Sequence, residues 1–291
     1  MMPERPQDTP AEAGKEHTTP GLGDRRRIRV LMYHRILPEG EKGSPPQMRI
    51  PMRQFRREME LLVRWGYTAI TFDDYRLYLT GELNLPRKPV IITFEDGYVE
   101  TYTLVVPILQ ELGMKAVVFV VADAGIRSSV WDRVQPGAVT PLLSDDQILE
   151  LHAVGFEIGS QTLHHVRLPG LPREKAWEEI SGSRMALEIL LNAPVRSFTY
   201  PFGLLDDQVK AIVKEAGFTV GCCGWTGPAL FGDDLFEIRR VTMFPYRSFA
   251  DLNFAIRLIS PYQLYRWLWW RLRVALEASG VRKKPFNPEA Q

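Results

Sequence analysis

One phrase recurs four times along this chain and restricts what it can fold into: an amphipathic helix, a glycine, a bulky residue and a short strand-like run. Phe55, Met59, Leu62 and Trp65 share one helical face ahead of Gly66-Tyr67 and the run Thr68 to Thr71. Leu104, Ile108 and Leu112 precede Gly113-Met114 and the run Ala116 to Val121. Ser144 and Gln147 have the spacing of a capping box, opening a helix that ends at Gly155-Phe156 before Glu157 to Ser160. Ile212 and Ala216 lead to Gly217-Phe218 and Thr219 to Cys222. Each glycine suits the left-handed position that follows a helix end. Four copies of one connection imply parallel strands joined by crossover helices. At 291 residues a closed or nearly closed α/β barrel is favoured over an open sheet.

Such barrels carry their chemistry on the loops after the carboxyl ends of strands, and the chemically capable residues fall there. His34 follows Arg29-Val30-Leu31-Met32-Tyr33. Glu95 and Asp96 follow the apolar run Val90 to Phe94, Gln161 to His165 follow Phe156 to Ser160, and Pro201 follows Ser197 to Tyr200. Adjacent carboxylates repel, so Glu95-Asp96 at the end of a hydrophobic strand needs a cation or a proton nearby. Asp-Gly is also a common turn, and acidic residues favour a helix start, so the pair alone has a purely structural explanation.

Taken together, TFEDG at Thr93 to Gly97, SQTLHH at Ser160 to His165 and YPFG at Tyr200 to Gly203 resemble the motifs of the polysaccharide deacetylases, the NodB-like family 4 carbohydrate esterases. The resemblance runs from about Ile28 to Met243 and implies a distorted (β/α) barrel. It implies that Glu95, standing where the family has Asp, is the general base and that Asp96 and His165 hold a divalent metal, zinc by preference. Gln161 stands where the family's other metal histidine belongs; its carbonyl oxygen is a weaker ligand than imidazole. His164, beside His165, points elsewhere if the two follow the habit of adjacent turn residues. Tyr200, Pro201, Phe202 and Gly203 match the loop that lines the substrate groove, where a backbone N–H helps hold the oxyanion. Thr199 occupies a position that other branches fill with an arginine that orients the base. LMYHRI, Leu31 to Ile36, resembles the opening of the branch whose barrel is circularly permuted, which makes His34 the acid for the leaving amine; a strand-capping histidine is the other explanation.

The function implied is metal-dependent hydrolysis of N-acetyl groups on an amino-sugar glycan or a lipid-linked saccharide. Two altered positions in the core motifs equally fit a carbohydrate-binding or scaffolding barrel with impaired chemistry. A net charge of +1 and a pI near 7.8 give no electrostatic case for nucleic acid. The two cysteines, Cys222 and Cys223, are adjacent and require no oxidising compartment.

The layout expected is a disordered tail over 1–27, a deacetylase-like barrel over 28–258 and a Trp/Arg-rich helix and tail over 259–291. The tail is rich in Pro, Gly, Thr and Glu and lacks the apolar core of a secretory signal. No run of apolar residues is long enough to span a membrane, so the cytoplasm is the expected address. Leu264, Leu268, Leu272, Ala275 and Leu276 share a helical face that Trp267, Trp269 and Trp270 broaden, with Arg266, Arg271 and Arg273 between them. This helix either docks on the barrel or lies at an anionic membrane surface, on the inner face if the substrate is lipid-linked.

Overall fold

The computed structural model describes residues 28–41, 49–132, 140–224 and 234–245. The expectations for 1–27 and for the Trp/Arg-rich helix fall outside those residues. Within them, the predicted strands form one eight-stranded parallel sheet. Its spine is β5 (Pro89–Phe94), with β1 (Arg29–Tyr33) on one side and β6 (Val117–Val120) on the other. The order continues through β9 (Glu157–Ser160) and β10 (Ser197–Thr199) to β11 (Val220–Cys222) at one end, and through β12 (Val241–Thr242) at the other; β4 (Thr68–Ile70) pairs the lower half of β5. The two ends approach each other, because Ile238, just ahead of β12, bridges Cys222 of β11. The result is the distorted barrel that the sequence predicts. Among the described residues no helix is long and apolar enough to cross a membrane.

Alternation along the strands divides the apolar side chains into two cores. Val90, Ile92 and Phe94 face outward with Leu31, Tyr33, Val118 and Val120, and pack under the helices. Ile91 faces inward with Val30, Val117, Phe119, Val220, Cys222 and Ile238, filling the barrel. Because both faces are covered, β5 is buried along its whole length, as a parallel central strand should be. Each large apolar side chain so buried contributes roughly 1.5–3 kcal/mol.

The helices begin and end where the phrase places them. They are α1 (Met52–Arg64), α3 (Val106–Glu111), α4 (Asp145–Ala153) and α6 (Asp207–Glu215), and the following Gly66, Gly113, Gly155 and Gly217 all have positive φ. The capping box at Ser144 and Gln147 forms in both directions. A further helix, α2 (Phe72–Leu79), starts at its own capping box on Thr71, so the strand expected to reach Thr71 stops at Ile70. α5 (Arg173–Leu191) follows the His165 loop. The helix after TFEDG opens with a π-helical turn, Thr101–Val105, ahead of Pro107, which lacks the N–H that an α-helical ladder needs. Late in the chain a two-residue strand, Val241–Thr242, pairs with β1.

One buried acid ties α1 to β1. Glu58 accepts hydrogen bonds from Tyr33 Oη (2.8 Å) and Gln54 Nε2 (2.7 Å). Burial pushes its carboxyl up to about 7, against the two hydrogen bonds, which pull the other way. An acid whose folded pKa is raised stabilises the fold below its unfolded pKa and loses that contribution as pH climbs through about 7. Urea unfolding between pH 5 and pH 8 is therefore expected to show a fall in stability that is smaller in Glu58→Gln by roughly 2–3 kcal/mol. Equal pH dependence in the two chains would mean that Glu58 is already ionised at neutral pH.

Candidate active site

Strand parity sends Glu95 inward, over the mouth of the barrel, where a charged side chain rises to meet it. Arg240 Nη1 donates to Glu95 Oε1 at 2.6 Å and Nη2 donates to Oε2 at 3.0 Å. The guanidinium is 1% exposed; it lies over the Phe119 ring and also donates to Thr93 Oγ1 and Thr199 Oγ1. Burial works against the charge of Arg240, but the Glu95 carboxylate outweighs it and raises the pKa. Thr199 Oγ1 lies 3.1 Å from Glu95 Oε2 and 3.2 Å from the Cys222 carbonyl, so its single proton is shared between these acceptors while it accepts from Arg240. Thus Thr199 bonds to Arg240, which lies immediately ahead of β12.

Asp96 is neutralised differently. Gln161 Nε2 donates to Asp96 Oδ1 at 2.7 Å, and His165 Nε2 lies 3.2 Å from the same oxygen. Burial alone would raise the Asp96 pKa; the hydrogen bond and charge of His165, the charge of His34 and a hydrogen bond with Tyr98 outweigh it and hold the carboxyl at about 2. Tyr98 in turn donates to Asp132 Oδ2. Asp132 comes from a hairpin, β7 (Ser128–Ser129) against β8 (Thr140–Pro141), that also lays Trp131 on His165 with centroids 4.1 Å apart and planes at 24°. Phe202 meets His165 edge-on at 4.8 Å.

The backbone is strained at the same place. Among the described residues five non-glycines have positive φ, and four of them, Asp96, Thr162, His165 and Phe202, belong to these loops; Asn192 caps α5. Such conformations cost about 1–3 kcal/mol each and persist where surrounding structure enforces them. Gly203 shows how closely the loops pack: a Cβ there would stand 2.3 Å from Gly224 Cα.

Of the residues singled out from sequence, Glu95, Asp96, Gln161 and His165 converge. His34, half-buried between β1 and β2 (Arg35–Leu37), is close enough for its charge to act on Asp96, and among the described residues its ring makes no hydrogen bond that would mark it as a strand cap. His164 turns to the surface, between Glu179 and Asp123. The groove loop needs correction: Tyr200 is buried with its hydroxyl on the Phe236 carbonyl, and Pro201 is buried too. Phe202 is the large side chain this loop exposes. The three residues of the metal set, Asp96, His165 and Gln161, are drawn together. Among the described residues no three of His, Cys, Asp and Glu form a metal-binding group, and Gln161 presents N–H, not a lone pair, to Asp96 and His165. The donor set as arranged does not fit a divalent cation. Sequence reasoning missed Arg240, Trp131, Tyr98 and Asp132. Only Arg240 had a signal: in Glu237-Ile238-Arg239-Arg240-Val241 an extended chain puts it on the same face as Ile238.

Residues 82–221 match the sequence profile of the polysaccharide deacetylases. The chain is 26% identical over 222 residues to YxkH of Bacillus subtilis (strain 168), a polysaccharide deacetylase by name, spanning 76% of this chain and 73% of that one. It is 29% identical over 149 residues to the peptidoglycan-N-acetylglucosamine deacetylase of Bacillus cereus, spanning 51% of this chain and 62% of that protein, less than two thirds of its length. The deacetylase PplD of Streptococcus pyogenes shares the fold, with a TM-score of 0.69 at 22% identity over 80% of this chain and 98% of its own. Fold, motifs and profile agree in their likeness to the polysaccharide deacetylases.

Thr199→Val keeps the shape of the side chain and removes its hydroxyl from the Glu95–Arg240 pair. The expected loss of stability is about 1–3 kcal/mol, read by urea unfolding at neutral pH. No loss would mean that the hydroxyl contributes nothing to the ion pair.

Proposed function

We propose that this chain hydrolyses N-acetyl groups on an amino-sugar glycan at the rim formed by the β1, β5, β9 and β10 loops. The observation that carries this reading is the buried Glu95–Arg240 pair at the carboxyl end of β5. Desolvating two charges is costly, and a barrel that needed only to fold would gain as much from apolar residues there. Glu95 Oε1 accepts one hydrogen bond among the described residues and so keeps a lone pair for a proton, while Arg240 fixes the carboxylate plane. Glu95 takes the proton of the attacking water as the C–O bond forms; the C–N bond breaks, and His34 supplies a proton to the departing nitrogen. Acetate and the free amine are the products. Phe202 offers its exposed ring to a sugar face at the same rim. No step is assigned to a cation. A relative named as a peptidoglycan-N-acetylglucosamine deacetylase supports the substrate class.

A second reading, a glycan-binding barrel without hydrolysis, is favoured by one observation: Gln161 joins Asp96 to His165 directly, closing part of the site. Acetate release from N-acetylglucosamine oligomers, measured beside calorimetric binding of the same oligomers, separates the two. The hydrolytic reading expects acetate from the parent, none from Glu95→Gln and a slowed rate from His34→Ala. Binding without acetate in the parent would replace it with the second reading.

A further inference from the structure

We infer that the side-chain amide of Gln161 occupies the place a cation would hold between Asp96 and His165, so that this centre is closed by hydrogen bonds and takes up no divalent metal. Two ligands about 2.1 Å from one tetrahedral ion stand roughly 3.4 Å apart. Asp96 Oδ1 and His165 Nε2 already stand 3.2 Å apart, and Gln161 Nε2 lies 2.7 Å from the first and 3.1 Å from the second. The amide nitrogen is therefore within hydrogen-bond reach of both atoms that would share an ion.

The orientation of the amide is fixed by a third contact. Asp96 N–H donates to Gln161 Oε1 at 2.8 Å. Flipping the amide would set its NH2 against that N–H and its oxygen against the Asp96 carboxylate, losing two hydrogen bonds and creating two repulsions. Gln161 cannot move away as a whole either, since its own N–H is bound to the Val120 carbonyl at 2.9 Å and its side chain is 2% exposed. His165 Nε2 stands 3.2 Å from Asp96 Oδ1 and 3.1 Å from Gln161 Nε2, so with its proton it donates to Asp96 and without it accepts from Gln161. Nδ1 is buried and has no partner among the described residues. In either form the His165 nitrogen that a metal would take is engaged within the centre, and Gln161 turns an N–H and not a lone pair toward it.

This inference stands apart from the reaction proposed above, because its readout is binding. The full chain, treated with chelator and then titrated with zinc by calorimetry and metal analysis, is expected to bind no stoichiometric ion. Gln161→His replaces the donor with a lone pair and is expected to raise zinc affinity by roughly a hundredfold. Gln161→Glu, nearly isosteric, sets a second carboxylate against Asp96 and is expected to gain zinc binding and to melt higher with zinc than without it. Adding Asp96→Asn to either variant should abolish the gain. One equivalent of zinc on the parent, removed by Asp96→Asn, would overturn the inference. So would folded Gln161→His and Gln161→Glu chains that both bind no better than the parent.

Discussion

Glu95 and Asp96 are consecutive, both are buried, and neither can be left unpaired in the interior of a barrel. Removing one partner from a buried charge pair costs about 3–5 kcal/mol, a large fraction of the stability of a typical domain. The chain meets this constraint twice, by different means. Glu95 receives a full countercharge from Arg240, fixed bidentately. Asp96 is met by the Gln161 amide and the His165 ring nitrogen. Because the chain turns through positive φ at Asp96 just beyond β5, the two adjacent acids draw on separate surroundings.

Much of the architecture follows from supplying those partners. The inward parity of β5 continues from Ile91 through Thr93 to Glu95, and the run Ile238 to Arg240 has the same inward parity beside it. The parallel register of β1 with both β5 and β12 sets Val241 level with Ile92, so the Arg240 side chain climbs the barrel interior to reach the end of β5. On the other side, β9 ends at the level of β10, and its loop must turn back through positive φ at Thr162 and His165 to bring Gln161 and His165 to Asp96. The aromatic rings of Trp131 and Phe202 then hold the His165 ring on two sides.

The parts of this arrangement legible in the sequence are those that local chemistry specifies. Helix, glycine and strand follow one another at all four repeats, and the Ser144 capping box is where its spacing places it. The site residues at strand ends were legible because barrel topology carries loops of one polarity to one rim. What was not legible depends on contacts between distant segments. Arg240 and Glu95 lie 145 residues apart, and the Trp131 stack depends on the course of a hairpin. Tyr200 read as a groove residue because it opens the YPFG motif; the Phe236 carbonyl draws its hydroxyl inward instead. Gln161 read as a poor ligand because the sequence gives the side chain but not which end of the amide faces the carboxylate.

The dependence of the site on the Glu95–Arg240 pair is tested most directly by a double-mutant cycle in urea unfolding, with Glu95→Gln, Arg240→Met and both together. Each single variant leaves a buried partner unpaired and is expected to lose about 3–5 kcal/mol, whereas the double variant should lose much less than the sum. Losses that add to within about 0.5 kcal/mol would show that the two side chains are not coupled and would contradict the account.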